Sequence, residues 1–211
     1  MGKHVVLLGD SIFDNAAYVR GGPDVVTHLR GTLPAGWTAT LAAVDGAVAS
    51  GVEHQLRGVT EDADFLVVSA GGNDALGEAG ILDERVRSVP EALDRLAGVA
   101  EEFEDRYRRM LRGVLERGLP TGVCTVYYPA YADPAMQRVL VAALTVFNDA
   151  ILRAAFAAGL PVVDLRLVCD DPGDYANPIE PSVQGGAKIA RAVARLVTEH
   201  DFGRGRTEVY V

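Results

Sequence analysis

Residues 4–15 read His4-Val5-Val6-Leu7-Leu8-Gly9-Asp10-Ser11-Ile12-Phe13-Asp14-Asn15. The apolar run has the length and Val/Leu content of a strand buried on both faces, and it stops at a glycine followed by small polar residues. Four further runs of this kind follow, at Thr38–Val44, Phe65–Ser69, Gly122–Val126 and Pro161–Leu165. Between them the apolar spacing becomes helical, over Pro23–Leu33, Val48–Leu56, a long stretch from about Asp83 to Glu116 broken near Ser88–Pro90, Pro134–Ala158 and Val183–Glu199. Ser88-Val89-Pro90-Glu91 reads as a helix start, and Gly118 and Gly159 stand where helices end. Strands alternating with helices imply a parallel sheet covered on both sides and joined by right-handed crossovers. The predicted fold is therefore α/β: a three-layer α/β/α, flavodoxin-like domain with a five-stranded parallel sheet. No linker, repeat or low-complexity tract interrupts the pattern, so residues 1–211 read as one domain.

Charge narrows the partners. Twenty-nine acidic residues against 20 basic ones give a net charge of −9, the wrong sign for a nucleic-acid partner. The first apolar run, Val5–Leu8, is too short for a signal segment, and no other stretch reads as the ~18 apolar residues of a membrane span. Cys124 and Cys169 each sit beside a strand-like run, which favours two buried free thiols over a disulfide. A reducing, cytoplasmic setting is the expectation that follows.

In such folds the chemistry lies at the carboxyl ends of the strands. The first strand ends in Gly9-Asp10-Ser11, which can hold the Ser11 hydroxyl clear of the sheet with its own N–H aimed at the same volume. The second ends in Val44-Asp45-Gly46-Ala47, where the Gly46 N–H is a second donor. The third ends in Ser69-Ala70-Gly71-Gly72-Asn73-Asp74, whose glycines admit a ligand closely and whose Asn73 amide is a third donor. Each signal taken singly also reads as ordinary turn chemistry. In order, however, the three blocks resemble those of the SGNH hydrolase superfamily, the GDSL-like lipases and esterases, over essentially the whole chain. The resemblance implies that Ser11 is a nucleophile toward an acyl carbon. It also implies an oxyanion hole made by the N–H groups of Ser11 and Gly46 and the side chain of Asn73. The expected partner is a small ester or related acyl substrate, bound with the help of Asp10, Gly72 and Tyr128, and no metal or other cofactor is expected.

The fourth block of that superfamily is Asp-x-x-His, followed by Pro and by a Gly that opens the last helix. Here the matching stretch is Asn177-Pro178-Ile179-Glu180-Pro181-Ser182-Val183-Gln184-Gly185. The Pro, the Gly and the helix align, but Glu180 stands at the histidine position and Asn177 at the aspartate position. None of His4, His28, His54 and His200 falls at a strand's carboxyl end. An ordinary Glu titrates about two pH units below His, so Glu180 serves as a base only if burial or nearby negative charge raises it. The loop Asp170-Asp171-Pro172-Gly173-Asp174 is one source of such charge, and the Asn177 amide is a candidate to orient the carboxylate. Three outcomes fit this pattern: a serine hydrolase with Glu180 as base, an acyl transferase, or a catalytically lapsed protein that binds a ligand or partner.

Overall fold

The computed structural model describes residues 2–211. In chain order the elements are β1 (His4–Gly9), α1 (Val25–Thr32), β2 (Thr38–Leu41), α2 (Val52–Gln55), β3 (Phe65–Ser69), α3 (Gly72–Gly77) and α4 (Val89–Leu115). They continue with β4 (Thr121–Cys124), α5 (Pro134–Ala158), β5 (Val162–Val163), α6 (Leu165–Val168), β6 (Tyr175–Asn177), β7 (Glu180–Pro181), α7 (Val183–Glu199) and β8 (Val209–Tyr210). The main sheet runs β2-β1-β3-β4-β5-β8, parallel throughout, and β6 and β7 form a separate antiparallel pair. The sheet thus has six strands rather than the expected five. The additional one is β8, two residues at the C-terminal edge: the Val162 N–H donates to Glu208 O at 2.8 Å and the Asp164 N–H to Tyr210 O at 2.9 Å.

Alternation along the strands divides the core into two. Val5 and Leu7 of β1 and Phe65 and Val67 of β3 pack with Val25 and Leu29 of α1 and Ile189 and Val193 of α7. Val6, Leu8, Leu66 and Val68 face the other way, toward Phe103 and Tyr107 of α4 and Phe147 and Ile151 of α5. Both faces of the strands are therefore buried, as doubly covered parallel sheets require. Helix starts follow their caps: the Asp24, Ser88, Asp133 and Ser182 side chains accept from backbone N–H groups of α1, α4, α5 and α7. Gly159 ends α5 in the left-handed region, with φ 64°. Helix α5 departs from the sequence reading in one respect. Its most apolar 18-residue window has a mean hydropathy of 1.7, so by length and composition it qualifies as a membrane-crossing helix. In the fold, Phe147, Ile151 and Ala154 of α5 pack into the core against α4. Cys124 and Cys169 are free thiols, both buried.

Two buried amides pin strand ends. The Gln55 side chain accepts from the Gly9 N–H and donates to the Gly9 carbonyl, both at 2.7 Å. Asn148 does the same for Val126, at 2.8 Å in both directions. Each side chain thereby replaces a ladder partner at the point where its strand leaves the sheet.

Candidate active site

The chain after β1 turns at Gly9, whose φ is 127°. A Cβ there would lie 1.7 Å from the Ser69 carbonyl oxygen, so this close crossing of β1 over the end of β3 accepts only glycine. The crossing delivers Asp10 and Ser11 to the carboxyl end of the sheet. There β1 lies between β2 and β3, the position at which the strand order reverses. Ser11 is buried, and its hydroxyl donates to Glu180 Oε1 at 3.1 Å across 169 residues of sequence.

Glu180 reaches this position because its neighbours are tied down on both sides. The Tyr127 hydroxyl donates to Ile179 O at 2.6 Å, and the Asn15 amide donates to Pro181 O at 3.2 Å. Asn15 is fully buried and also accepts from the Val25 N–H at 2.9 Å, so one side chain joins the Ser11 loop, α1 and the Glu180 segment. Asn15 did not stand out in the sequence as a site residue.

Asn177 takes a different place from the one expected. It is exposed, and its Oδ1 accepts from the Ile179 N–H at 2.9 Å, closing a local turn instead of contacting the carboxylate. Glu180 Oε2 is buried without a hydrogen-bond partner among the described residues. Burial pushes the Glu180 carboxyl up to about 7; the Asp45 carboxylate adds to the rise, and the hydrogen bond from Ser11 opposes it. The 170–174 loop is not the source of that charge. Its Asp170 and Asp174 are drawn to Lys188, at 2.7 and 2.8 Å.

Asp10 is the second carboxyl of the site. It accepts from the Ile12 N–H at 3.1 Å and is almost completely buried. Burial raises it to about 7, the Ile12 N–H counteracts, and the charges of Glu180 and Asp74 add to the rise. Asp14 has a structural contact, accepting from the Asp45 N–H at 2.9 Å.

The turn carrying Gly46 is clamped to the start of α3. The Asn73 amide donates to Ala47 O at 3.0 Å, and buried Asp74 accepts from the Ala49 N–H at 2.8 Å. One N–H of the Asn73 amide remains free of that bond. The backbone N–H groups of Ser11 and Gly46 have no acceptor among the described residues. Gly46 itself is exposed, with φ 78°.

A cavity of about 110 Å³ opens beside these groups. Asp10, Ser11, Gly72 and Asn73 form its polar end. Apart from Ser69 and Glu78 the remaining wall is largely apolar, including Leu76 and Leu82, Leu96 and Val99 of α4, and Leu140 and Leu144 of α5. Tyr127 and Tyr131 line the cavity, whereas Tyr128, the aromatic expected there, lies beside Arg166. The four histidines take no part: His4 bonds to Asp62 and Thr40 at the opposite end of β1, and His200 to Glu208.

This geometry can be set against known proteins. A model of the GDSL-like lipase/acylhydrolase family matches residues 7–188. The chain belongs to that family. It is a hydrolase of the GDSL type, and its similarity to solved structures extends over the whole fold. An extracellular lipase from Streptomyces rimosus superposes with a TM-score of 0.66 at 19% identity, covering 91% of this chain and 98% of that one. A phospholipase A1 from Streptomyces albidoflavus NA297 gives 0.68 at 14% identity, with 92% and 98% covered. A catalytic mutant of Axe2, an acetylxylan esterase from Geobacillus stearothermophilus, gives 0.65 at 16%, with 96% and 97% covered. At these identities the likeness establishes the fold. A search of curated proteins gives no significant match.

Proposed function

We propose that this GDSL-type hydrolase cleaves esters of apolar acyl chains, with Ser11 as nucleophile and Glu180 as its base. The observation that carries the reading is the 3.1 Å hydrogen bond from the Ser11 hydroxyl to a buried carboxylate whose pKa is raised to about 7. A group titrating near neutrality is a competent proton acceptor, and the contact lies within the range required for transfer. Ser11 Oγ attacks the acyl carbon while its proton moves to Glu180 Oε1. The carbonyl π pair becomes an oxyanion, received by the free N–H groups of Ser11 and Gly46 and the remaining N–H of Asn73. Collapse of that intermediate breaks the bond to the leaving alkoxide, which takes the proton from Glu180. Water then repeats the sequence on the acyl-enzyme and releases the carboxylic acid. Here desolvation is the main adjustment of the base, with the Asp45 carboxylate adding to it, in keeping with the unpartnered Oε2 and the Asn177 side chain turned to its own loop.

The leucine-lined cavity beside Ser11 supports an acyl chain longer than acetyl. The test is a panel of p-nitrophenyl esters from acetyl to dodecanoyl, hydrolysed by wild type, Ser11→Ala and Glu180→Gln. Rates should peak above acetyl, and Glu180→Gln should lose about 10²–10⁴-fold in turnover, the range of a positioned general base. Unchanged turnover in Ser11→Ala contradicts the nucleophile assignment, and a silent Glu180→Gln contradicts the base.

A further inference from the structure

We propose that a groove along the C-terminal half of α4, beyond the N-terminal half that walls the ester cavity, is a binding site for a phosphate-bearing small molecule. The groove runs between the turn that follows α2 and the C-terminal half of α4, encloses about 700 Å³, and shares no lining residue with the cavity beside Ser11. Arg57, Arg106, Arg109, Arg112 and Arg117 line it against only Glu53 and Glu116. Leaving aside Arg106, which is paired with carboxylates outside the groove, four arginines face two glutamates, a local excess of two positive charges on a chain whose net charge is −9.

Most of these cations are uncommitted. Arg106 is engaged by Asp74, Glu78 and Glu102 at 3.2–3.8 Å. Arg57, Arg109, Arg112 and Arg117 have no carboxylate within 4.0 Å among the described residues, unlike Arg87, Arg95 and Arg108 on the N-terminal side and other face of the same helix region. Two of the four are partly pre-set by backbone contacts, Arg109 Nε on Asp105 O at 3.3 Å and Arg117 Nη2 on Val59 O at 3.4 Å. Guanidinium groups lining one groove from more than one element suit a phosphate, which accepts several forked hydrogen bonds at once and carries more charge than a carboxylate. The groove also has room for an organic body. Leu56 and Met110 give it an apolar floor, and a Cβ added at Gly113 would meet nothing, so that position leaves the space open.

The test is calorimetric titration of the full chain with sodium pyrophosphate at low salt. The wild type is compared with Arg57→Gln/Arg109→Gln/Arg112→Gln and with a charge-matched control, Arg85→Gln/Arg138→Gln/Arg191→Gln. All six residues are exposed. Wild type and control should bind saturably at one site, and the groove variant should bind about tenfold or more weakly. A second variant, Gly113→Glu, adds a carboxylate at a groove position whose Cβ meets nothing within 4 Å and replaces a helix-weakening residue, so it should stay folded and lose pyrophosphate. The proposal is overturned if wild type shows no saturable binding. It is equally overturned if the control weakens as much as the groove variant, or if the groove variant and Gly113→Glu keep wild-type affinity.

Discussion

Glu180→Gln should remove turnover and at the same time make the folded protein more stable above neutral pH. The carboxyl is raised from 4.5 to about 7 by burial, and one of its oxygens has no hydrogen-bond partner. A carboxyl raised on folding binds its proton more tightly in the native state than in the unfolded chain. Its cost to stability is thus absent below about pH 4.5, grows between the two values, and is complete above about 7. At about 1.4 kcal/mol per pH unit the full cost is about 3 kcal/mol, an upper figure for a coupled site. Glutamine removes the charge and keeps an oxygen to accept from Ser11. It also buries an amide N–H₂ with no acceptor in place of Oε2, returning about 1–2 kcal/mol. The net gain of about 1–2 kcal/mol corresponds to a Tm rise of about 2–8 °C for a chain of this length. Thermal unfolding of both proteins at pH 8.5 and pH 5 is the assay, and the gap should be present at the first and closed or slightly reversed at the second. A gap of the same size at both values, or a less stable variant at pH 8.5, refutes the reasoning.

Three other outcomes follow from the same contacts. For a neutral ester, kcat/KM should rise about tenfold from pH 6 to pH 8 with an inflection near 7, tracking ionised Glu180; a flat profile across this range excludes it as the base. Gln55→Leu leaves the buried Gly9 N–H without its 2.7 Å acceptor, while the Gly9 carbonyl keeps the Val44 N–H at 3.0 Å, and should cost about 1–3 kcal/mol in urea unfolding; no measurable loss shows that water or a shifted backbone replaces the amide. Leu144→Trp fills the apolar end of the cavity, so the ratio of octanoyl to acetyl ester hydrolysis should fall severalfold; an unchanged ratio places the acyl chain elsewhere.

Much of the fold was legible because local signals agreed with the tertiary ones. Phe65–Ser69, Pro134–Ala158 and Val183–Glu199 have the same bounds in the structure as in the apolar pattern, and the two helices begin directly after the capping residues Asp133 and Ser182. β8 escaped because two residues carry no periodicity, and its strand character exists only through pairing with β5. The Ser11–Glu180 proximity was legible from the order of the blocks, not from spacing, since 169 residues separate them. The supports of the site were hidden for a physical reason. Asn15, Gln55 and Asn148 act by side-chain bonds to backbone groups 10 to 166 residues away, and a lone polar residue in a helix or loop gives no local sign of such a partner. Asn177 was misplaced because an Asn side chain satisfies its own turn before it reaches a distant carboxylate. Among the aromatics after β4, the cavity wall takes Tyr127 while Tyr128 lies beside Arg166, a distinction of one residue in a stretch with no helical or strand period.

The central claim is that Glu180 activates Ser11, and covalent labelling tests it most directly. Wild type, Ser11→Ala and Glu180→Gln would be treated with a fluorophosphonate, with adduct mass, site and rate followed by mass spectrometry from pH 5 to pH 9. The account predicts a single adduct on Ser11, a rate that rises through about pH 7, no adduct in Ser11→Ala, and slow, pH-insensitive labelling in Glu180→Gln. Labelling of Ser11 at the wild-type rate and pH dependence in Glu180→Gln, or equal labelling of Ser11→Ala, contradicts it.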